Sequence, residues 1–304
     1  MIGLLHPGQM GAAIGAQLTG AGHEVLWWRA GRSDRSARRA EAAGLRGVDE
    51  LGALLSESSV VLSICPPAAA EEVAGRVAGA GFTGVYVEAN AISPHRMITI
   101  RDRLAERGIT VVDGAIIGPP PGPDRACRVY LCGSAADEVA ELFAGGRARA
   151  VCLGPRIGDA SALKMAFGSF NKASAALAAV SHALAAEYGV GAALLAEADA
   201  LGRSALADPG RLPGVAARAW RWAPEMHEAA ETFAAAGLPG ELATGAAAVF
   251  DPVSGACGAN HSTLPRRRGT RRRGCHHRAC EVMAWVADKD SALDVADVLR
   301  HLRR

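Results

Sequence analysis

Short apolar runs alternate with segments of helical composition over the first 118 residues, and this alternation constrains the fold more than any other feature. The runs are typical of strands at residues 2–5, 23–28, 60–65, 85–90 and 109–118. Strands that are separated by helices indicate a parallel, doubly wound sheet. From residue 159 to about residue 250 the chain is alanine-rich and lacks strand-like runs. The sequence therefore predicts an α/β domain followed by an all-helical domain.

Charge, hydropathy and cysteine content exclude several classes of protein. The net charge of +2 gives no argument for nucleic acid or an anionic membrane as a partner. No apolar stretch reaches the roughly 18 residues of a membrane span, and no basic leader precedes the first strand, so we expect neither a membrane segment nor a signal peptide. The seven cysteines are odd in number and scattered, which favours a cytoplasmic location over a disulfide framework.

The C-terminal tail has a different composition, because residues 265–280 carry seven arginines and no acidic residue. Three interpretations are open: a nucleic-acid-binding arm, a disordered low-complexity insertion, or a zinc site built from Cys275, His276, His277 and Cys280. These possible ligands are spaced more tightly than in the usual zinc motifs. We therefore favour the insertion and predict neither a metal site nor a nucleic-acid partner.

The segment LLHPGQMG stands between the first strand and the first helix. A dinucleotide-binding turn there follows the pattern G-x-G-x-x-G, whose second glycine lets the pyrophosphate approach the backbone. Gly8 and Gly11 keep the second and third glycines, whereas His6 replaces the first and Pro7 restricts it to extended geometry. Free N–H groups at the helix start attract phosphates. An ordinary glycine-rich loop is the alternative, but the position predicts a Rossmann-type domain with cofactor contacts at Gly8, Gln9 and Met10.

The end of the second strand bears on the choice of cofactor. An NAD site has an Asp or Glu about 20 residues after the turn, to bind the ribose 2′-OH. Trp28 occupies that position, and it is followed by Arg29, Arg32 and Ser33, which can hold a 2′-phosphate by charge-assisted hydrogen bonds. A solvated basic loop is the alternative, since further arginines follow at Arg35, Arg38 and Arg39. We predict NADP(H) rather than NAD.

These motifs resemble the β-hydroxyacid dehydrogenase superfamily, which includes 6-phosphogluconate and 3-hydroxyisobutyrate dehydrogenases and has imine reductases as relatives. The family start I-G-x-I-G-x-G-x-M-G is matched by IGLLHPGQMG except at His6. VVLSICPP and EANAISP resemble the segments that line the cofactor, which implies contacts at Cys65, Pro66 and Asn90. The segments LHPGQMG, DGAIIGPPP, ALKMAFGSFNK and WRWAPEM are most similar to a phosphogluconate-dehydrogenase-like branch with a C-terminal domain of unknown function. The resemblance covers residues 1–250.

The family's catalytic lysine lies in the pattern G-x-G-x-x-x-K-x-x-x-N, and the resemblance assigns that role to Lys164. Hydride reduction of a carbonyl leaves a negative oxygen, which a nearby ammonium can protonate or stabilise. Burial would lower the pKa of such a lysine toward the working range. A solvated helix lysine is the alternative interpretation.

Two positions depart from the family pattern. The asparagine four residues after the lysine is Gly168, and Asn171, two turns from Lys164 on the same helix face, can substitute for it. Ile117 stands where the family has a substrate-binding serine. Substrate contacts at Ile117, Gly118 and Phe170 therefore predict an apolar pocket. The segment with Trp220, Trp222, Glu225, Met226 and Glu228 either closes this pocket or belongs to the core.

Together these features predict an NADPH-dependent oxidoreductase that acts on a small carbonyl or hydroxy substrate. The expected domains are an NADP-binding domain at residues 1–157, a helical substrate and dimerisation domain at 158–260, and a basic tail at 261–304 that ends in a short helix. The resemblance implies a homodimer formed through the helical domain. An imine reductase and a non-catalytic NADP-binding protein are the alternatives.

Overall fold

In this computed structural model the described residues are 1–200 and 207–250. They fall into two compact units, one of residues 1–166 and one that starts at residue 167. The strands are β1 (Ile2–Leu4), β2 (Val25–Trp28), β3 (Arg46–Val48), β4 (Val60–Ser63), β5 (Val85–Glu88), β6 (Thr110–Ile117), β7 (Cys127–Cys132) and β8 (Ala148–Gly154). The α-helices in the described ranges are α1 (Gln9–Gly20), α2 (Asp34–Ala42), α3 (Leu51–Glu57), α4 (Ala70–Gly79), α5 (Pro94–Ala105), α6 (Ala136–Glu141), α7 (Asp159–Glu187), α8 (Gly191–Ala200), α9 (Leu212–Ala216), α10 (Ala219–Ala235) and α11 (Glu241–Phe250).

The eight strands form one sheet in the order β3-β2-β1-β4-β5-β6-β7-β8. Strands β1 to β6 are parallel, β7 runs antiparallel to β6, and β8 is parallel to β7. The direction of strand succession reverses between β1 and β4, which opens a crevice at their carboxyl ends. The predicted α/β, doubly wound class is confirmed, with one antiparallel pairing added.

Three strands are missing from the sequence prediction, namely β3, β7 and β8. Strand β3 has only three residues, one of which is a glycine, and its pairing with β2 is what makes it a strand. Strands β7 and β8 follow residue 118, where the regular alternation of strand and helix ends. The chain reverses direction there, and β7 pairs antiparallel with β6. Edge strands such as β3 and β8 depend on the neighbouring strand more than on local composition.

Both faces of the sheet are covered, which explains why its strands have nearly continuous apolar sequences. Successive side chains of a strand point to opposite faces, so Val60 and Leu62 of β4 pack on one side and Val61 on the other. Helices α1, α2 and α6 contribute to the first side, and α3, α4 and α5 to the second.

The second unit is helical to Phe250, as the sequence predicts. Helix α7 starts at Asp159 in the first unit and runs for 29 residues, so the two units divide within it. Trp222 of α10 packs edge-on against Phe250 of α11, with ring centroids 5.6 Å apart, and Met226 is fully buried. Trp222 and Met226, both in the WRWAPEM segment, thus belong to the core of this unit. The domain boundary at 157/158 stays a prediction.

None of the helices in the described ranges has the length and apolar character needed to cross a membrane, and no cluster of metal-ligating side chains occurs among the same residues. The arginine-rich run at residues 265–280, its cysteines and histidines, and the predicted final helix lie outside the described residues.

An ion pair is buried in the helical unit. Lys172 Nζ of α7 lies 2.6 Å from Glu225 Oε2 of α10, and the two side chains are 11% and 10% exposed. Arg221 Nε is more distant, at 3.9 Å from Glu225 Oε1. Removing one partner of a buried pair leaves a charge that is costly to keep out of water.

We expect Lys172→Met to destabilise the protein by about 3 kcal/mol, because the Glu225 carboxylate then loses its nearest cation. The double variant Lys172→Met/Glu225→Met should recover most of this loss. Chemical denaturation measures both effects, with Arg221→Gln, an exposed and more distant partner, as the control. Equal stability of Lys172→Met and wild type would contradict a structural role for the pair.

Candidate functional site

The crevice between β1 and β4 is bordered by the turn of residues 6–8, which leads into α1. Gly8 is the N-cap of α1, in extended geometry, with no side chain capping the helix and no acidic residue in its first turn. The first helical hydrogen bond runs from Ala12 N to Gly8 O, at 2.9 Å. The N–H groups of the first turn, including those of Gln9 and Met10, therefore have no partner within the helix and form a site for an anion.

The two glycines of the turn serve different purposes. A Cβ on Gly11 would overlap the carbonyl oxygen of His6, so the backbone of the turn requires a glycine there. A Cβ on Gly8 would meet no protein atom within 4 Å. The space over Gly8 is thus open, as it must be where a pyrophosphate approaches the backbone.

His6 contributes more than turn geometry. Its Nδ1 is buried and has no hydrogen-bond partner among the described residues, and the same holds for Nε of Arg32. Burial, with added repulsion from Arg32 and Arg76, lowers the pKa of His6 to about 4, so the imidazole is neutral at physiological pH. Buried polar atoms nearly always have hydrogen-bond partners. A polar ligand in the crevice would supply partners for these two atoms. From the sequence alone, His6 is predicted only to replace a turn glycine.

The basic residues after β2 have different partners. Arg29 Nη1 lies 3.7 Å from Asp49 Oδ1, and its guanidinium covers Gly47 of β3. Ser33 caps α2, where its Oγ accepts a hydrogen bond from Ser36 N at 3.3 Å. Arg32 instead stacks on Trp28, with Cζ 5.1 Å from the ring centroid. Of the three predicted ligands of a 2′-phosphate, Arg32 is the one with a buried N–H that has no partner among the described residues.

A buried hydrogen-bond network links the ends of β4 and β5. Asn90 is 4% exposed; its Oδ1 accepts from Cys65 N, and its Nδ2 donates to Ser63 Oγ at 3.1 Å and to Glu88 Oε1. Glu88 also accepts from Tyr86 Oη at 3.1 Å. Cys65 and Asn90, two of the predicted cofactor contacts, are therefore hydrogen-bonded to each other. Pro66, the third predicted contact in this region, directly precedes the short 3-10 helix Pro67–Ala69.

Sequence reasoning missed Glu88 as part of this network. A carboxylate inside the buried strand VYVE was the available signal, because such a group needs hydrogen-bond donors. Burial raises the pKa of Glu88 to about 8 despite three hydrogen bonds that favour its ionised form, from Tyr86 and from Asn90. Burial likewise raises the pKa of the Cys65 thiol to about 12, so this cysteine stays protonated.

Asp113 of β6 anchors the first turn of α7. Its Oδ2 accepts hydrogen bonds from Gly158 N at 2.9 Å and Ser161 N at 3.1 Å, and its Oδ1 accepts from Ser161 Oγ at 2.7 Å. The buried Cys132 thiol donates to Oδ2 at 3.3 Å. Burial raises the pKa of Asp113, while these hydrogen bonds oppose the shift. A carboxylate at a helix N-terminus is also favoured by the helix dipole.

Lys164 follows one turn later and contacts the same strand. The lysine is half-buried, and its Nζ donates to the carbonyl oxygen of Ile116 at 2.6 Å. Strand β6 ends at the neighbouring residue Ile117, which is 5% exposed. Gly118 then takes a φ of +124°, and a Cβ there would come within 3.1 Å of Cys127 Cα. Lys164, Ile117 and Gly118 are thus brought together at the carboxyl end of β6.

Phe170 and Asn171, the other predicted site residues, lie in the second unit. Phe170 is 71% exposed. Asn171 is exposed as well, and its Nδ2 donates to the carbonyl oxygen of Phe167 at 2.9 Å, within its own helix. Their roles in binding substrate stay predictions.

Comparison with known families matches the two parts of the chain separately. The family described as the NAD binding domain of 6-phosphogluconate dehydrogenase matches residues 1–144, and a domain of unknown function, DUF1932, matches residues 185–253. The first match lies within the α/β part of the chain and the second within the helical part. The predicted resemblance to a phosphogluconate-dehydrogenase-like branch is confirmed.

Three individual proteins are similar to this chain. An uncharacterised 28.5 kDa protein of Methanothermus fervidus is 30% identical over 147 residues, which are 48% of this chain and 56% of that protein. The chain thus spans about half the length of the curated relative that it matches. The conserved protein MTH1747, of unknown function and structurally similar to 3-hydroxyacid dehydrogenases, is 25% identical with a TM-score of 0.63, over 82% of this chain and 95% of that one. A Mycobacterium tuberculosis 3-hydroxyisobutyrate dehydrogenase shares the fold, with a TM-score of 0.67 at 19% identity, over 84% and 93% of the two chains.

Gly8→Ala tests the open space over the turn. We expect unchanged thermal stability, because the added Cβ meets no protein atom within 4 Å, and binding of NADPH weakened about tenfold or more, because the pyrophosphate must approach this backbone closely. Gly20→Ala, at the other end of α1 and equally open, is the matched control. Fluorescence titration with NADPH and a thermal melt measure both properties; retained affinity in Gly8→Ala would contradict a phosphate site here.

Glu88→Gln tests the buried carboxyl group. Because burial raises the pKa of Glu88 from 4.5 to about 8, the folded protein keeps a proton that the unfolded chain releases. The wild type should therefore lose stability as pH rises from 4.5 to 8, relative to Glu88→Gln, by about 1 kcal/mol per pH unit. Denaturation curves at pH 5, 6, 7 and 8 measure this difference; a difference that stays constant with pH would show that Glu88 is ionised throughout.

Proposed function

We propose that the protein is an NADP-dependent oxidoreductase of the β-hydroxyacid dehydrogenase type. The observation that carries the proposal is the half-buried Lys164 ammonium, hydrogen-bonded at the carboxyl end of β6 in a sheet with a dinucleotide-binding turn. The reaction is hydride transfer between the nicotinamide and a small carbonyl or hydroxy compound. The bound cofactor supplies the carbon that gives or takes the hydride.

Lys164 acts as the general acid or base. In the direction of reduction its ammonium donates a proton to the substrate oxygen, which gains negative charge as hydride arrives. In the reverse direction the neutral amine takes a proton from the substrate hydroxyl group. The hydrogen bond from Nζ to Ile116 O restricts the position of the side chain before substrate binds.

The substrate class is argued from the side chains at the expected contacts. Ile117 stands where the family has a substrate-binding serine, and Gly118 has no side chain, so a substrate with an apolar body is favoured over a sugar phosphate. Asn171 is the proposed positioning residue for the polar end of the substrate. Its present hydrogen bond is to its own helix, which a substrate group can replace at small cost because the residue is exposed.

The proposed cofactor is NADP(H), since no acidic residue stands at the end of β2 and Arg32 lies beside Trp28. The proposed location is the cytoplasm, in keeping with the free thiols of Cys65, Cys127, Cys132 and Cys152. We also propose a homodimer formed through the helical domain. Phe170, Leu177 and Leu184 recur every seven residues of α7 and are each more than 60% exposed, which is typical of a helix face that packs on a partner.

Lys164→Met tests the catalytic assignment. Turnover should fall about 10²- to 10⁴-fold through loss of the proton donor, whereas the Kd for NADPH should change less than threefold. Oxidation of NADPH is followed with a panel of small ketones, β-keto acids and cyclic imines, and Arg101→Gln, an exposed residue of α5, is the control.

The same panel separates the alternatives. Activity of the wild type on cyclic imines but not on ketones would replace the dehydrogenase proposal by an imine reductase. Tight NADPH binding without turnover of any compound would favour a non-catalytic NADP-binding protein. Unchanged turnover in Lys164→Met would remove the lysine from the mechanism.

A further inference from the structure

Two arginines from separate elements lie over one aromatic ring, that of Trp28. Arg32, from the loop after β2, has Cζ 5.1 Å from the centroid of Trp28, and Arg76 of α4 has Cζ 5.7 Å from the same centroid. Besides burial, the charges of both guanidinium groups lower the pKa of His6, in the turn after β1. The ring itself is fixed, because Trp28 Nε1 donates to Asp49 O at 3.2 Å.

The charges of this cluster are only partly balanced by the protein. Arg76 pairs with Glu72, 2.7 Å away, in an exposed i,i+4 contact that contributes little. Arg32 has no acidic partner among the described residues, and its Nε has no hydrogen bond there either. Two guanidinium groups on one ring repel each other. An arrangement of this kind is stabilised when an anion binds between them.

The unsatisfied atoms indicate what kind of anion fits. Nε of Arg32 is a donor, and Nδ1 of a neutral imidazole is a donor in one of its two tautomers. Both atoms are buried and have no partner among the described residues. A phosphate group offers several acceptor oxygens and matches the geometry of arginine. The cluster is therefore suited to a phosphate monoester.

The position of this cluster in the fold indicates which phosphate group of the cofactor it suits. The pyrophosphate of a dinucleotide lies at the N-terminus of α1, whereas the adenosine ribose lies at the end of β2. Trp28 is the last residue of β2. Arg29, the next residue, is directed to Asp49 and Gly47 of the neighbouring strand and loop. We infer that His6 and Arg76, together with Arg32, form the pocket for the 2′-phosphate of NADP, with Trp28 as its aromatic platform. The inference rests on the proposed use of NADP and extends it to two residues, one of which stands in the glycine pattern itself.

The test compares ligands that differ only in the 2′-phosphate. Calorimetric titration gives the Kd of NADPH, NADH, 2′,5′-ADP and 5′-AMP for the wild type and for Arg76→Ala, His6→Ala and Arg101→Ala. Arg76→Ala should weaken NADPH and 2′,5′-ADP about 10- to 100-fold, and His6→Ala about tenfold, as expected for hydrogen bonds to a charged group. NADH and 5′-AMP should change less than threefold. Arg101→Ala, an exposed arginine of α5 outside the cluster, is the control and should leave all four affinities within threefold.

Several results would overturn the inference. Equal losses for NADPH and NADH in Arg76→Ala would show a general role in the adenosine site. No loss of NADPH affinity in either the Arg76 or the His6 variant, or an equal selective loss in Arg101→Ala, would show that the 2′-phosphate binds elsewhere. Arg76→Lys keeps the charge without the planar fork, so it should retain part of the preference for NADPH, and it serves if Arg76→Ala folds poorly. A wild type that binds NADH as tightly as NADPH would instead refute the proposed cofactor, whatever the variants show.

Discussion

The carboxylate of Asp113 joins β6 to the start of α7, and the position of Lys164 depends on this contact. A buried carboxylate is costly unless donors surround it, and here the backbone of Gly158 and both donors of Ser161 provide hydrogen bonds. Side chains in a helix incline toward its N-terminus. Once residues 158–161 are held on β6, a lysine one turn further on is directed back to that strand, where it contacts Ile116.

The same logic of buried polar groups applies at the ends of β4 and β5. Asn90 donates to Glu88 and accepts from the backbone N–H of Cys65, so hydrogen bonds join the chain segments that follow β4 and β5. Polar networks in a low-dielectric interior are strong when every member has a partner. The Glu88 network is satisfied by the protein itself. His6 and Arg32 keep buried atoms without partners among the described residues, and this contrast separates the scaffold of the site from its binding surface.

The sequence contained most of the fold and part of the site. The apolar runs around Leu4, Val61 and Val87 predict buried parallel strands, because both faces of this sheet are covered. The glycine pattern predicts the turn, because its roles follow from backbone geometry that few other residues can adopt. The strands β3, β7 and β8 were not found in this way, because β3 has only three residues, one of them a glycine, and β7 and β8 follow the point where the regular alternation of strand and helix ends. The same limit applies to Arg29: its place after β2 suggests a phosphate ligand, but only the folded chain shows its contact with Asp49.

The mismatch at His6 shows how a motif tolerates change at one position and not at another. Gly11 cannot accept a side chain, because the carbonyl oxygen of His6 occupies that space, and a change there would force the turn apart. The first position of the pattern is different, since Pro7 already holds the preceding residue in extended geometry that any amino acid adopts. Nδ1 of His6 is buried and has no hydrogen-bond partner among the described residues. The glycine pattern is therefore strict at Gly11, where the chain meets itself, and it tolerates a side chain at its first position, where we propose that His6 contacts the cofactor.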